Sequence, residues 1–289
     1  MQKSRINRLI KGDKNTTFHH MFMIVRRRRN RISCIKNDMG AWINSEFGAM
    51  NYIKERFRKL FTTTLVYSLF HLPPPSKWQA VLSKEDKGSL NMPVSEVEIK
   101  EGLWAFKLYK SSGSNGLHTV YKIVTNIIVA RLRPHVDKLV RPLQSAFVSG
   151  RRIVDNAIMV QELIHTISNR KGRGGYMAIK VDLKKAYDKI EWSFITEVLI
   201  NANFPHNLVN LIMCCVSSVS TSILFNGGSV KHIFPSRGIR KGDPLSPYLF
   251  ILCMEVLGHF IEDKCNENSW VPVKSSQSGM AFSHLFFCR

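Results

Sequence analysis

The sequence predicts an α+β fold, and three observations carry that expectation. Tyr176 to Val181 is a short, partly alternating apolar run with the length and composition of a buried strand. Ser220 to Phe234 reads as a β-hairpin, because Asn226-Gly227 supplies the positive φ angles that a two-residue turn demands. Around both, apolar residues recur at helical spacing in several separate stretches.

The first sixty residues hold fifteen Lys/Arg against four Asp/Glu, a little over half of the chain's net charge of +21. Within them, Arg26, Arg27, Arg28, Arg29 and Arg31 form a dense run that can neutralise several phosphates and release counterions. A nuclear-import signal and a solvated helix face are the competing readings of that run. Ile43 to Phe61 predicts an amphipathic helix. Pro73-Pro-Pro75 is a stiff break and a candidate boundary. The organisation expected is a basic helical region over 1–72, a Pro-rich and flexible segment over 73–118, and the main domain over 119–289.

Val97 to Leu108 predicts a short helix, and Ser111 to Gly116 a flexible loop. Apolar residues at Val120, Ile123, Val124, Ile127, Ile128 and Leu132 predict an amphipathic helix stopped by Pro134. Gln144 to Arg152 reads as a turn with paired arginines, where Arg151 is either a phosphate contact or a plain surface residue. A helix is expected from about Asp155 to Ile167.

Asp182 stands where the central strand should end. A carboxylate there is costly to bury without a cation, so it is either a Mg²⁺ ligand or the opening of a turn. Asp188-Lys-Ile-Glu191 fits a capping box for a helix whose apolar stripe is Ile195, Val198, Leu199 and Ala202. Arg237 to Pro247 is a basic loop in which Gly242 allows either a close backbone approach or a sharp turn. Pro244 or Pro247 suits the first turn of the apolar helix that follows, Leu249 to Phe260.

A chain of 289 residues with a pI near 10.0 is expected to meet polyanions, nucleic acid first and an anionic membrane surface second. The six cysteines form no C-x-x-C pair, and Cys214 and Cys253 lie among apolar residues, so buried reduced thiols are expected. No signal peptide is legible at Met1 to Arg5, and no apolar run is long enough to span a bilayer. The expected location is intracellular, in nucleus or cytoplasm.

Taken together, these stretches resemble the reverse transcriptase of plant LINE-type (non-LTR) retrotransposons. Gly12 to Phe18 and Arg26 to Ile32 are similar to the linker before the polymerase domain. Tyr121-Lys-Ile-Val, Arg131-Leu-Arg-Pro134 and Gln144 to Arg151 resemble fingers motifs. Lys180-Val-Asp-Leu-Lys-Lys-Ala-Tyr-Asp188 resembles palm motif A, and Gly238 to Pro247 resembles motif B.

The resemblance implies a partial right-hand polymerase, fingers and palm, with an antiparallel sheet backed by helices. It implies RNA-templated DNA synthesis from a DNA primer and dNTPs with Mg²⁺. Asp182 would be the catalytic metal ligand and the Leu183 carbonyl would sit beside the second ion. Tyr187 would crowd a ribose 2′-hydroxyl, Gly242 would lie near the templating base pair, and Arg151 and Lys241 would contact phosphates.

Two departures qualify this. Ser114 to His118 runs almost directly into Thr119-Val-Tyr121, where the family has a long fingers segment, and Asn115 replaces a favoured Asp. Ser283-His-Leu-Phe-Phe287 resembles the lead-in to motif C, yet Cys288-Arg289 follows instead of Ala-Asp-Asp. Two divalent ions about 4 Å apart repel by on the order of 15 kcal/mol even at an effective dielectric of about 20. One carboxylate cannot offset that, so the expectation is a truncated polymerase with little or no catalysis. A non-catalytic basic nucleic-acid-binding remnant is the alternative.

Overall fold

A computed structural model of the chain describes residues 17–63, 82–104, 119–169, 175–230, 232–274 and 279–287. Pro73 to Pro75, Ser111 to Gly116, and Cys288-Arg289 lie outside the described residues. The chain divides into two compact units, Met1–Thr62 with Ser220–Pro235, and Thr63–Val219 with Ser236–Arg289.

The first unit is small and basic. Helix α1 (Thr17–Arg29) ends on its four arginines, where the negative end of the helix dipole favours cations. Strands β1 (Ile35–Lys36) and β2 (Trp42–Ile43) pair antiparallel, Ile35 with Ile43. The Asn37 side chain accepts from the Met39 and Ala41 amides within their turn. Helix α2 (Glu46–Phe61) begins at Ser45, whose hydroxyl accepts from the Gly48 amide at 3.2 Å. It starts three residues later than the apolar pattern suggests, because Ile43 belongs to the strand.

The expected hairpin is present. Strands β3 (Leu224–Phe225) and β4 (Gly228–Ser229) are joined by Asn226 and Gly227 at φ 50° and 87°. The Asn226 amide also fastens the turn to the Ile32 backbone, accepting at 2.8 Å and donating at 3.0 Å. Ala49, Phe225 and Val230 form the small core, flanked by Ile35, Ile43 and Ile53.

The second unit is mostly helical. Helices α3 (Lys84–Leu90) and α4 (Glu96–Trp104) contact α5 (Thr119–Leu139). Ser83 and Asp86 form a capping box at the start of α3. Arg131 fixes α4 to α5 by a two-pronged contact with Glu98 at 2.7 and 2.9 Å, and it also donates to the Met92 and Pro93 carbonyls.

Helix α5 does not stop at Pro134; it continues to Leu139. Pro134 and Ala130 lie on the exposed side of the helix, where a hydrogen bond lost to proline costs least, while buried Leu132, Val136 and Leu139 hold the helix on the core. Helix α6 (Ile153–Asn169) extends slightly beyond the predicted span at both ends.

After α7 (Ala186–Lys189) come α8 (Trp192–Asn201) and α9 (His206–Ser217). The predicted stripe Ile195, Val198, Leu199 and Ala202 is buried, and Asn203 closes the helix at φ 64°. Helix α10 (Ser246–Asn266) is buried along most of its length, with Pro247 in its first turn as expected. The main core gathers Ile128 and Leu132 of α5, Leu199 of α8, Ile212 of α9, and Leu249 and Ile251 of α10. Strands β5 (Val273–Lys274) and β6 (Ala281–Phe282) make a third short antiparallel pair.

Helices with small antiparallel ladders agree with the α+β expectation, but the buried central strand does not form. Among the described residues, no ladder includes 175–183, and Tyr176 alone in 176–181 is even half-buried. An apolar run becomes a strand only when a neighbour takes its backbone hydrogen bonds, and none of the described strands is beside it. The cysteine expectation is also corrected in part. Cys253 is buried and its thiol is pushed up to about 12 by that burial, whereas Cys214 is exposed and its neighbour Cys215 faces the core. No described helix is long and apolar enough to cross a membrane.

Candidate active site

Two stretches some fifty residues apart in sequence meet at one place in the second unit. The first is the turn and helix after Asp182; the second is the loop Arg237 to Pro247. The Gly238 amide donates to the Ile190 carbonyl at 2.7 Å, and the Ile239 amide to the Tyr187 carbonyl at 2.8 Å. Trp192 Nε1 returns a bond to the Gly238 carbonyl at 2.8 Å. Glu191 and Arg237 form an isolated antiparallel bridge and an ion pair at 3.2 Å.

Gly238 is required by this arrangement. Its φ is 90°, and a Cβ there would stand 2.9 Å from the Asp188 carbonyl oxygen. Gly242 also has a positive φ, 85°, which supports the sharp-turn reading of that residue.

The expected capping box is corrected by this geometry. Asp188 lies inside α7, and the next helix begins at Trp192 with Glu191 at its N-cap, making no side-chain cap bond. Asp188 instead faces Lys241 at 3.5 Å, and Glu191 is turned toward Arg237, a stronger partner than a backbone amide. Tyr187 stacks on Phe250 of α10, with ring centroids 4.7 Å apart.

Asp182 and Leu183 are exposed at the end of the unpaired run, just before Lys185 at φ 56°. Asp182 is thus adjacent in sequence to the joined stretches, but among the described residues no ladder holds it. Among the described residues, no group of three His, Cys, Asp or Glu side chains is gathered that could hold a metal ion. The residues described therefore do not fit a complete Mg²⁺ cradle.

Arg151 has a structural task. Its guanidinium donates to the Val140 carbonyl at 3.0 Å and the Gln144 carbonyl at 2.8 Å, closing the turn after α5, and lies 3.4 Å from Asp137. Arg26 to Arg29 are exposed in the first unit, while Arg31 pairs with Glu46 at 2.9 Å.

Several residues that shape the site were not singled out by sequence reasoning. Asp243 is buried, and burial raises its carboxyl above the usual range. It accepts from the Tyr121 hydroxyl at 2.8 Å and from the Leu245 amide at 3.1 Å, tying the loop to α5 and to the start of α10. Glu255 is buried too, and its desolvation is opposed by Arg141, which also reaches Glu262 at 2.7 Å. The available signal was Glu255 itself, a carboxylate interrupting an otherwise apolar helix.

Near that cluster, Asn156 of α6 donates to the Leu143 and Phe286 carbonyls, each at 3.2 Å, and the Phe286 amide donates to the Leu143 carbonyl at 3.2 Å. His284 is pushed down to about 4, first by burial and then by the nearby Arg141 charge.

Residues 112–278 match the family of reverse transcriptases, RNA-dependent DNA polymerases. The chain is 30% identical over 139 residues to an uncharacterised 149 kDa protein of transposon TX1 from Xenopus laevis, covering 48% of this chain and 10% of that protein. It is 33% identical over 116 residues to the retrovirus-related Pol polyprotein of the type-2 retrotransposable element R2DM from Drosophila melanogaster, covering 40% of this chain and 11% of that one. An uncharacterised mitochondrial protein of Arabidopsis thaliana is 41% identical over 64 residues, 22% of this chain and 52% of its own length. The chain spans about a tenth of the length of the first two relatives.

Proposed function

This chain belongs to the reverse transcriptase (RNA-dependent DNA polymerase) family, and from that premise we propose what its residues contribute. Residues 112–278 are a reverse transcriptase domain of the LINE-type, non-LTR retrotransposon kind. In our reading, the domain is the fingers and palm of a plant element. Asp182 is its first metal-binding carboxylate, Mg²⁺ the ion, and Tyr187 the residue against the nucleotide sugar. Gly242 and Lys241 face the template–primer and its phosphates, with dNTP as the substrate.

The observation that supports this reading is the joining of the Tyr187–Trp192 stretch, which follows Asp182 in sequence, to the Gly238–Pro247 loop through Tyr187, Ile190 and Trp192. It brings the two stretches that resemble motifs A and B to one locality. Arg151, held by backbone carbonyls, serves in this reading by fixing the turn after α5 rather than by direct phosphate contact.

A polypeptide of these 289 residues is proposed to bind nucleic acid without extending a primer. The excess of +21 supplies the binding, and Arg26 to Arg29 and Arg31 supply its densest patch. Among the described residues, no group of three His, Cys, Asp or Glu side chains gathers at Asp182, where two ions need several ligands.

Fluorescence anisotropy with an RNA template annealed to a DNA primer tests the first half. Affinity is expected to fall by about a thousandfold or more between about 50 and 200 mM salt. Replacing Arg26 to Arg29 with Ala lowers the slope. Binding that ignores salt would sink the assignment of the arginine patch. Primer extension with Mg²⁺ tests the second half: product above the Asp182→Ala background overturns the non-catalytic reading.

A further inference from the structure

We propose that Asp243 is a positioning residue: it holds the turn Arg240–Asp243 from beneath and so sets where Lys241 meets a phosphate, a role that rests on reading Lys241 as a phosphate contact. The Asp243 amide donates to the Arg240 carbonyl at 3.4 Å, closing a turn with Lys241 and Gly242 at its tip. Gly242 has φ 85°, the sign a type II turn needs at its third residue. Both tip residues are exposed, whereas Ile239 and Asp243 on either side are buried. Glycine is permissive and a lysine stem is flexible, so the tip fixes little by itself. Its two ends set its place.

One end is Ile239, whose amide donates to the Tyr187 carbonyl at 2.8 Å. The other is the Asp243 side chain, which accepts from the Leu245 amide at 3.1 Å and from the Tyr121 hydroxyl at 2.8 Å. That hydroxyl also lies 3.1 Å from the Cys215 carbonyl in the last turn of α9. One carboxylate thus joins the loop to α5, α9 and the start of α10. Burial raises its carboxyl, and its hydrogen bonds and the Arg240 charge oppose that desolvation. At the tip, Lys241 lies 3.5 Å from Asp188 with its side chain 68% exposed, an open pair that holds the ammonium weakly. Arg237, at the base of the loop, is engaged by Glu191 at 3.2 Å.

The test is a double-mutant cycle on the full 289-residue chain, read by fluorescence anisotropy with an RNA template annealed to a DNA primer at several salt concentrations. In the parent, Lys241→Ala is expected to lower the slope of log affinity against log salt by about one. In an Asp243→Ala background the same change is expected to move the slope far less. Asp243→Asn keeps an acceptor for the Leu245 amide and a polar group for Tyr121, and the full Lys241 contribution is expected to return. Ala and Asn remove the same charge, so a difference between them reports the geometry of the turn. Tyr121→Phe leaves the carboxylate in place and is expected to shrink the Lys241 contribution as well. It decides the matter where Asp243→Ala does not fold.

A merely structural Asp243 would lower stability in the alanine variant and leave the Lys241 contribution unchanged. An equal Lys241 contribution in every background overturns the positioning role and leaves Lys241 standing as a phosphate contact. A loss in Asp243→Asn as large as in Asp243→Ala also overturns it. A Lys241→Ala change without effect in the parent overturns the phosphate contact itself, and the positioning role with it.

Discussion

The loop and helix from Arg237 to Asn266 and the run from Gly175 to Leu183 make an instructive pair, since both are rich in apolar residues yet they end in opposite physical states. Helix α10 satisfies its own backbone and needs only an apolar surface to lie on, which α5, α8 and α9 provide. The 175–183 run cannot satisfy its backbone alone, and with no described strand beside it the same kind of apolar content stays in water. A helix carries its hydrogen bonds within itself; a strand borrows them from elsewhere.

The largest test of that contrast compares truncations in the two regions. Leu249→Ala, at a side chain only 1% exposed, is expected to cost about 3 kcal/mol in urea denaturation, while Val181→Ala stays within about 0.5 kcal/mol. Equal losses would mean that Val181 is packed in solution. Next, Gly238→Ala strains a residue at φ 90° and forces its new methyl onto the Asp188 carbonyl. A loss of about 2 kcal/mol is expected, together with faster amide exchange at Ile239, whose bond to Tyr187 marks the junction.

Tyr121→Phe takes a hydroxyl from buried Asp243 and is expected to cost about 1.5 kcal/mol. Because that hydroxyl favours the charged carboxylate, the loss is larger at pH 7 than at a pH low enough to protonate Asp243.

The smallest effect concerns Glu98, which Arg131 holds down to about 2, far from the raised carboxyls of Asp243 and Glu255. Its folded value is depressed, so its stabilisation is present above the ordinary glutamate range and is lost as the pH falls toward about 2. Glu98→Gln therefore lowers stability at pH 7 and flattens this acid-side dependence. The gap between variant and parent closes on acidification; a gap that stays constant would rule out the ion pair as its cause.

How much of the site is legible depends on the range of the interactions. The Asn226-Gly227 hairpin is readable because its turn geometry is set by the two residues themselves. The buried stripe of α8 is readable because spacing alone defines a helix face. Asp188 reads as a cap because its neighbours in sequence suit a capping box, while Lys241 and Gly238, which arrive fifty residues later, decide its place. Pro134 reads as a stop because the local rule takes no account of the core that holds Val136 and Leu139. Asp243 and Glu255 escape the sequence reading because burial is a property of the assembled fold.

By itself, the sequence determined the α+β composition, the basic first fifth, the hairpin turn and the helical faces, since each follows from charge, backbone preference or periodicity over a few neighbouring residues. Tertiary structure alone decided that Tyr187 meets Phe250, that Arg151 is occupied by carbonyls, and that the run before Asp182 lies exposed. Those outcomes depend on which distant groups arrive beside a residue, and a strand or a buried charge has no settled state until its partner does.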